Sequence, residues 1–370
     1  MTPAKPPLQP ELRHDPSALK AWIQSEALSL GFAKLGVTTP KIDDQLPYLN
    51  QYLADGFAGE MHYLAENIDK RGDASLLVPG TKSVLCVQMH YLSASPPQRY
   101  IPDQPNHAIV SRYARGRDYH KVVRGRLKQL ALRIEAQIGP FQWRPFADSA
   151  PILEKPLAER SGLGWTGKHT LLIDKKAGSF FFLGELLTDL DLPPDIPATA
   201  HCGSCSACID ICPTQAIVAP YRLDARRCIA YLTIELKGSI PIELRRGIGN
   251  RVFGCDDCQL ICPWNSFAKI SSEIDFQARH QLDRLTLLDV WGWTEPDFLT
   301  FSEGSPLRRT GYISLMRNVA VGLGNAPYDS AIIQALNSKL GRHGDMVDEH
   351  IQWALMEQQQ KSQLIVNTNG

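Results

Sequence analysis

Cys202-Gly-Ser-Cys205-Ser-Ala-Cys208-Ile-Asp-Ile-Cys212-Pro213, a lone Cys228, and Cys255-Asp-Asp-Cys258-Gln-Leu-Ile-Cys262-Pro263 hold eight of the nine cysteines of this 370-residue chain. The first run has the spacing with which two-cluster ferredoxins bind four-iron, four-sulfur clusters, three cysteines on one cluster and the fourth reaching across to the other. A second complete run would need a cysteine at Val252, and Cys228 is the available substitute. The spacing therefore predicts two 4Fe-4S clusters. One is held by Cys202, Cys205, Cys208 and Cys262, the other by Cys212, Cys228, Cys255 and Cys258. A pair of structural zinc sites is the competing reading, but zinc motifs pair C-x2-C units across longer loops and have no use for the Cys-Pro endings. Cys86, in the apolar run 84–87, reads as a buried core thiol.

Working outward, 44% hydrophobic and 21% charged residues describe a chain that buries a large core. The absence of a long apolar run and of a leader pattern predicts a cytoplasmic protein with no membrane partner. Reduced thiols and clusters belong in such a compartment. Zero net charge excludes a globally basic or acidic binder, so any polyanion must be met by local charge.

Strand-like segments at 33–37, 83–91, 108–113, 143–147, 170–173 and 179–183 alternate with helical stretches, the first helix announced by Asp15-Pro16 as N-cap and first position. This predicts an α/β (α+β) N-terminal domain over 1–190, then, beyond a proline-rich link at 191–197, a ferredoxin-like two-cluster domain over 191–270. Residues 271–370 read as a mixed segment followed by three helices like one HEAT-type repeat and part of another, too few to stand alone and so expected to dock on the rest. A bare ferredoxin needs few residues beyond its clusters. The N-terminal domain is therefore expected to receive the electrons.

Four further segments carry a resemblance: Ser111-Arg-Tyr-Ala-Arg-Gly-Arg-Asp-Tyr-His120, Phe146-Ala-Asp-Ser-Ala-Pro151, Ala158-Glu-Arg-Ser-Gly-Leu-Gly-Trp-Thr-Gly-Lys168 and Gly254-Cys-Asp-Asp-Cys-Gln259. Together with the cysteine spacings they resemble the epoxyqueuosine reductase family over about residues 15–360. The resemblance implies a cobalamin-dependent enzyme with two 4Fe-4S clusters that reduces epoxyqueuosine to queuosine at the wobble position of tRNAs for Asp, Asn, His and Tyr. It implies a low-potential external donor such as reduced flavodoxin or ferredoxin, and a monomer is expected. It also places Arg71, Ser111, Asp148, Leu172 and Asp174 near the corrin, and makes Asp148 the proton donor.

Read on its own, Asp148 follows a strand and precedes a helix, so its carboxyl is expected at a strand end facing a crevice. Removing an epoxide oxygen requires a proton, and a carboxylic acid in an apolar pocket, its pKa pushed upward, supplies one near neutral pH. The alternative is that Asp148 merely caps the following helix. The 162–168 turn fits G-x-G-x-x-G and G-x4-G-K, yet His169 stands where a phosphate loop needs Ser or Thr, and a helix precedes it. It is expected near corrin or substrate, with Lys168 presenting charge, unless its glycines serve packing alone. Asp118-Tyr119-His120 begins a cobalt-ligating D-x-H-x-x-G signature that Val123 breaks, so His120 is read as no cobalt ligand. Asp256, between two cluster cysteines, either faces both cofactors or is a solvated loop carboxylate.

Between Arg112 and Arg133 lie eight Lys or Arg residues and one acid. Arg115, Arg117, Lys121, Arg124 and Lys128 are the expected tRNA-phosphate contacts, with Arg308, Arg309 and Arg317 extending the surface. A solvated helix face is the bland alternative. The rival functions are a cobalamin-dependent reductive dehalogenase, which would carry an export leader and need no basic stripe, and an electron-transfer protein, which would not need Asp148.

Overall fold

The computed structural model describes residues 10–93 and 104–368. Four strands, β1 (Lys34–Thr38), β2 (Ser83–His90), β3 (Trp143–Phe146) and β4 (Phe181–Thr188), form one sheet in the order β1-β2-β4-β3. Every pairing in it is antiparallel, so within the expected α/β (α+β) class the arrangement is α+β. The 179–183 strand begins at Phe181 and runs on to Thr188, long enough to pair with both β2 and β3.

Alternate residues of β2 serve two cores, which is why its sequence reads as nearly continuous apolar residues. Leu85, Val87 and Met89 face helices α1 (Pro16–Ser29) and α2 (Tyr119–Ile138), while Val84 and Cys86 face α3 (Glu154–Arg160). Asp15 caps α1 by accepting from the Ser17 and Ala18 amides, with Pro16 in the first turn. Asp118 caps α2. On α2, Leu127, Leu130 and Ile134 are fully buried, each worth roughly 1.5–3 kcal/mol. The helix lies so close to the sheet that a Cβ on Gly184 would sit 2.5 Å from Val123 Cγ1. Only glycine fits there, and this contact fixes the height of α2 over β4.

The 108–113 strand shrinks to Ile109–Val110, which pairs in parallel with Arg251–Phe253, immediately before Cys255. This pairing stitches the cysteine segment to the N-terminal half. Helices α4 (Tyr312–Asn325), α5 (Ser330–Lys339) and α6 (Asp345–Thr368) dock, as their apolar faces demand, into a core that gathers residues from Ala108 to Ala354. That core crosses both boundaries expected at 190 and 270. At its centre Arg317 is fully buried and donates to the carbonyls of Leu232, Leu236 and Gly238, while Asn318 donates to those of Thr233 and Val252. Arg317 is thus a structural tie for the loops around the cysteines and not part of a nucleic-acid surface. Among the described residues no helix is long and apolar enough to cross a membrane.

Candidate active site

Asp148 follows β3 at the sheet edge and lines a cavity of about 790 Å³. The cavity floor is apolar, made by Phe181, Phe182 and Leu183 of β4 with Leu64 and Leu171. Its rim is polar: Tyr63, Arg71, His120, Lys155, Glu235 and Arg309. The pocket is therefore collected from seven separate stretches of chain. α3 begins only at Glu154, with Leu153 in the N-cap position, so Asp148 is not a helix cap. It has φ of 53°, in the left-handed region that a non-glycine residue occupies only when its surroundings hold it there.

Two side chains hold the Asp148 carboxyl. The Tyr119 hydroxyl donates to Oδ2, and His120 Nε2 lies 3.4 Å from the same oxygen. His120 Nδ1 is 2.7 Å from Asp118 Oδ1. With both ring nitrogens facing carboxylates, His120 has none free to coordinate a metal, in keeping with the reading that Val123 breaks the cobalt-ligating signature. Burial opposes its charge, but the two carboxylates prevail and push the imidazole up to about 9, so it is protonated at neutral pH. For Asp148 the expectation of a raised pKa is corrected. Burial pushes it up, but the half-exposed carboxyl receives His120 and Tyr119, and these hold it below the ordinary value. The resident proton sits on His120.

Of the other expected pocket residues, only Arg71 lines the cavity; it is buried and donates to the carbonyls of Tyr63, at 2.7 Å, and Glu66, at 3.2 Å. Ser111 donates to Asp256, whose other oxygen accepts from the Arg112 amide at 2.9 Å. Asp256 is 3% exposed and lies 3.2 Å from the Arg112 guanidinium, which rules out the solvated-loop alternative and makes it a brace for the second cysteine loop. Lys168 donates to the carbonyls of Gly203 and Cys205 at 2.7 and 2.8 Å, gripping the first cysteine loop and not the cavity. A Cβ on Gly164 would lie 2.2 Å from the Ile173 carbonyl oxygen, so that glycine serves close backbone packing. Leu172 is buried in a hairpin with Trp165–Thr166, and its neighbour Leu171 faces the cavity instead. Asp174 is buried, accepts from the Lys176 amide and lies 3.5 Å from Lys34.

The sequence reading missed Tyr119 as a partner of Asp148, and with it Glu154, Glu185 and Lys155. Tyr119 and His120 stand directly after the cap Asp118, and an aromatic and an imidazole at a helix start were the available signal. Glu185 gave none beyond a lone acid in an apolar strand.

The cysteines of both runs and Cys228 come together in one region. Cys208 feels Cys262, Cys202 and Cys205, while Cys258 feels Cys228, Cys208 and Cys212, and Cys255 feels Cys258. Cys205 is exposed. Trp165, 1% exposed, packs with Cys262 against Cys202 and Trp264, and its indole N–H has no protein acceptor. A sulfur-rich cluster held by these thiolates would supply the missing acceptor, so the residues fit the group. The second set adjoins the cavity through Tyr113. A Cβ on Gly254 would lie 2.6 Å from Ser111 Cβ and 3.6 Å from Tyr113, whose ring centroid is 6.1 Å from that of Tyr119.

Residues 201–265 match the family model described as a 4Fe-4S double cluster binding domain, and residues 71–149 match the one described as Epoxyqueuosine reductase QueG, DUF1730. Epoxyqueuosine reductase of Pseudomonas aeruginosa is 53% identical over 343 residues, covering 92% of this chain and 95% of that protein. The chain belongs to the epoxyqueuosine reductases. The family's enzyme from Bacillus subtilis, solved with its catalytic aspartate loop swung out of the active site, superposes with a TM-score of 0.83 at 27% identity over 92% of this chain and 90% of that one. An epoxyqueuosine reductase solved with an epoxyqueuosine-modified tRNA-Tyr stem loop gives a TM-score of 0.79 at 26% identity, covering 92% and 99%.

The charged surface is smaller than the sequence suggested. Lys121, Arg124 and Lys128 are exposed along α2, as expected. Arg115 instead donates to the Val110 carbonyl at 2.8 Å, Arg117 pairs with Asp275 at 2.8 Å, and Arg308 donates to the Leu299 carbonyl. Arg309 pairs with Glu235 at 2.9 Å on the cavity rim.

Proposed function

We propose that this protein reduces epoxyqueuosine to queuosine at the wobble position of tRNA, in the cavity beside Asp148. The observation that carries the reading is the convergence of a proton-bearing pair, Asp148 and His120, on an apolar-floored cavity that adjoins the second cysteine set. Loss of the epoxide oxygen as water takes up two electrons and two protons. Cys202, Cys205, Cys208 and Cys262 would hold one 4Fe-4S cluster and Cys212, Cys228, Cys255 and Cys258 the other, and these would supply electrons taken from an external reduced flavodoxin or ferredoxin; Cys205 is exposed.

The cavity fits a cobalamin bound without a protein imidazole. Its floor offers Phe181, Phe182 and Leu183 to a corrin face, and His120 is occupied on both nitrogens. When bound, the corrin supplies a strongly reducing cobalt to the substrate. His120, the charged member of the pair, passes its proton through the Asp148 carboxyl to the departing oxygen, and solvent supplies the second proton. Tyr119 keeps the carboxyl aimed by donating to it. Arg124 and Lys128, exposed on α2, hold tRNA phosphates.

The test adds cobalamin anaerobically to the purified protein and then supplies epoxyqueuosine-bearing stem loop with a reductant. A perturbed corrin spectrum and formation of queuosine are expected, and an unperturbed spectrum overturns the cofactor assignment. With Arg124→Glu and Lys128→Glu combined, tRNA affinity at low salt should fall more than about tenfold with iron content unchanged. Unchanged affinity would leave the stripe a solvated face.

A further inference from the structure

Glu185 lies at the middle of β4, opposite Cys86 of β2 and Phe146 of β3. It is fully buried, and neither carboxyl oxygen has a donor. Nothing in the reaction described above uses it. The side chain within its reach is Glu154, in the first turn of α3. An ionised carboxylate only accepts hydrogen bonds, so two carboxyls facing each other in an apolar layer stay together by sharing a proton. Glu154 has a second engagement: its Oε1 accepts the Asp148 backbone N–H at 2.5 Å. That amide belongs to the residue whose backbone lies in the left-handed region, a conformation that has to be held by its surroundings.

We propose that Glu154 is a positioning residue, a latch that holds the Asp148 loop in the cavity, and that Glu185 keeps the latch set by sharing one proton with it. The chain Glu185, Glu154, Asp148 N–H links the centre of the sheet to the loop that follows its edge strand. The groups facing Glu154 are Asp148 on the loop, Glu185 on β4, His120 and Tyr119 on α2, Cys86 on β2 and Lys155 on its own helix. The cation of the set nearest in sequence, Lys155, is drawn away to the Thr170 carbonyl at 2.8 Å. The other cation, His120, is engaged by Asp118 and Asp148 and is the last and smallest of the influences on Glu154, and no cation acts on Glu185. Burial, then the Asp148 charge, lifts Glu154 to about 7, and burial also raises Glu185. Loss of the shared proton leaves two buried negative charges in contact, and their repulsion opens the latch.

The proposal builds on the role given to Asp148, yet it concerns a backbone hydrogen bond that is readable without cofactors or substrate. The experiment is hydrogen exchange of the full-length protein across residues 147–153, corrected for intrinsic rates, at several pH values. Glu154→Ala removes the acceptor and should speed exchange there about tenfold or more. Glu154→Gln keeps a carbonyl acceptor and should restore protection. Wild type should loosen above about pH 8; Glu185→Gln gives Glu154 a permanent amide donor, so this loosening should vanish in that variant. Wild-type exchange in Glu154→Ala, equal loosening in Glu154→Gln, or an unchanged alkaline limb in Glu185→Gln would each overturn the latch. Should Glu154→Ala fail to fold, the two amide variants still decide the question. Correct exchange behaviour combined with full turnover by an Asp148→Asn variant would instead refute the role of Asp148 and leave the latch standing.

Discussion

Asp148 just beyond the edge strand and Glu185 at the middle of β4 are both carboxyls of one sheet, and their surroundings drive them in opposite directions. Asp148 stands at the cavity mouth, half exposed, with the Tyr119 hydroxyl and the His120 imidazolium beside it. It is held ionised. Glu185 stands in the packed layer beneath α3 with no donor and another carboxyl as neighbour, and it is held protonated. The difference shows that the reach of donors decides which carboxyl carries charge, while depth alone sets how strongly the choice is enforced. It also separates two duties, proton delivery at the mouth and loop positioning below.

The sharpest way to break this comparison is Asp148→Asn, which keeps the volume and the hydrogen bonds around the loop but cannot donate a proton. Single-turnover reduction by the pre-reduced variant should slow by about a hundredfold or more, with both clusters retained. Near wild-type turnover would leave Asp148 a packing residue.

Next in size is His120→Gln. It removes the stored proton, so turnover near pH 7 should fall about tenfold while affinity for the stem loop stays put. Stability should change as well. The imidazole is raised from 6.5 to about 9 in the folded protein, so its contribution is fully present below about pH 6.5 and is lost as pH rises through about 9. Thermal melting of wild type should decline across that window, and His120→Gln should remove this part of the decline. A variant with the wild-type melting profile would show that the pair with Asp118 and Asp148 does not form.

The smallest effect concerns the pair beneath. Glu154 is raised from 4.5 to about 7, so the folded state keeps a proton that the unfolded chain surrenders. Stability is greatest below about pH 4.5 on this account and falls as pH rises through about 7. In Glu185→Gln the amide replaces that proton, and the difference in melting temperature between pH 5 and pH 8 should shrink. A slope as steep as wild type would locate the shared proton elsewhere.

Much of the cluster segment follows from order along the chain, because each C-x2-C run brings two or three thiolates to one cluster and its following cysteine reaches the other. Cys228 was read as the substitute for the missing ligand at Val252 because no other cysteine of the segment was left, and the docking helices followed from apolar faces too short to stand alone. Asp148 was legible as a residue at a strand end. Its protonation state was not, since His120 and Tyr119 reach it from a helix that packs across the sheet.

Arg115, Arg317 and Lys168 illustrate what only the tertiary structure decided. Each is a cation by sequence, yet folding turns its donors onto the carbonyls of Val110, of Leu232 and its neighbours, and of the first cysteine loop. The sheet's antiparallel order and the meeting of Glu154 with Glu185 belong to the same category. Sequence by itself determined the chemistry available to this protein: eight thiols at cluster spacing, an acid after a strand, a basic helix. Which of those groups meet, and so which hold protons, which hold carbonyls and which remain free for substrate, was set by contacts between residues far apart in the chain, where burial and hydrogen-bond donors act over a few ångströms and sequence distance has no bearing.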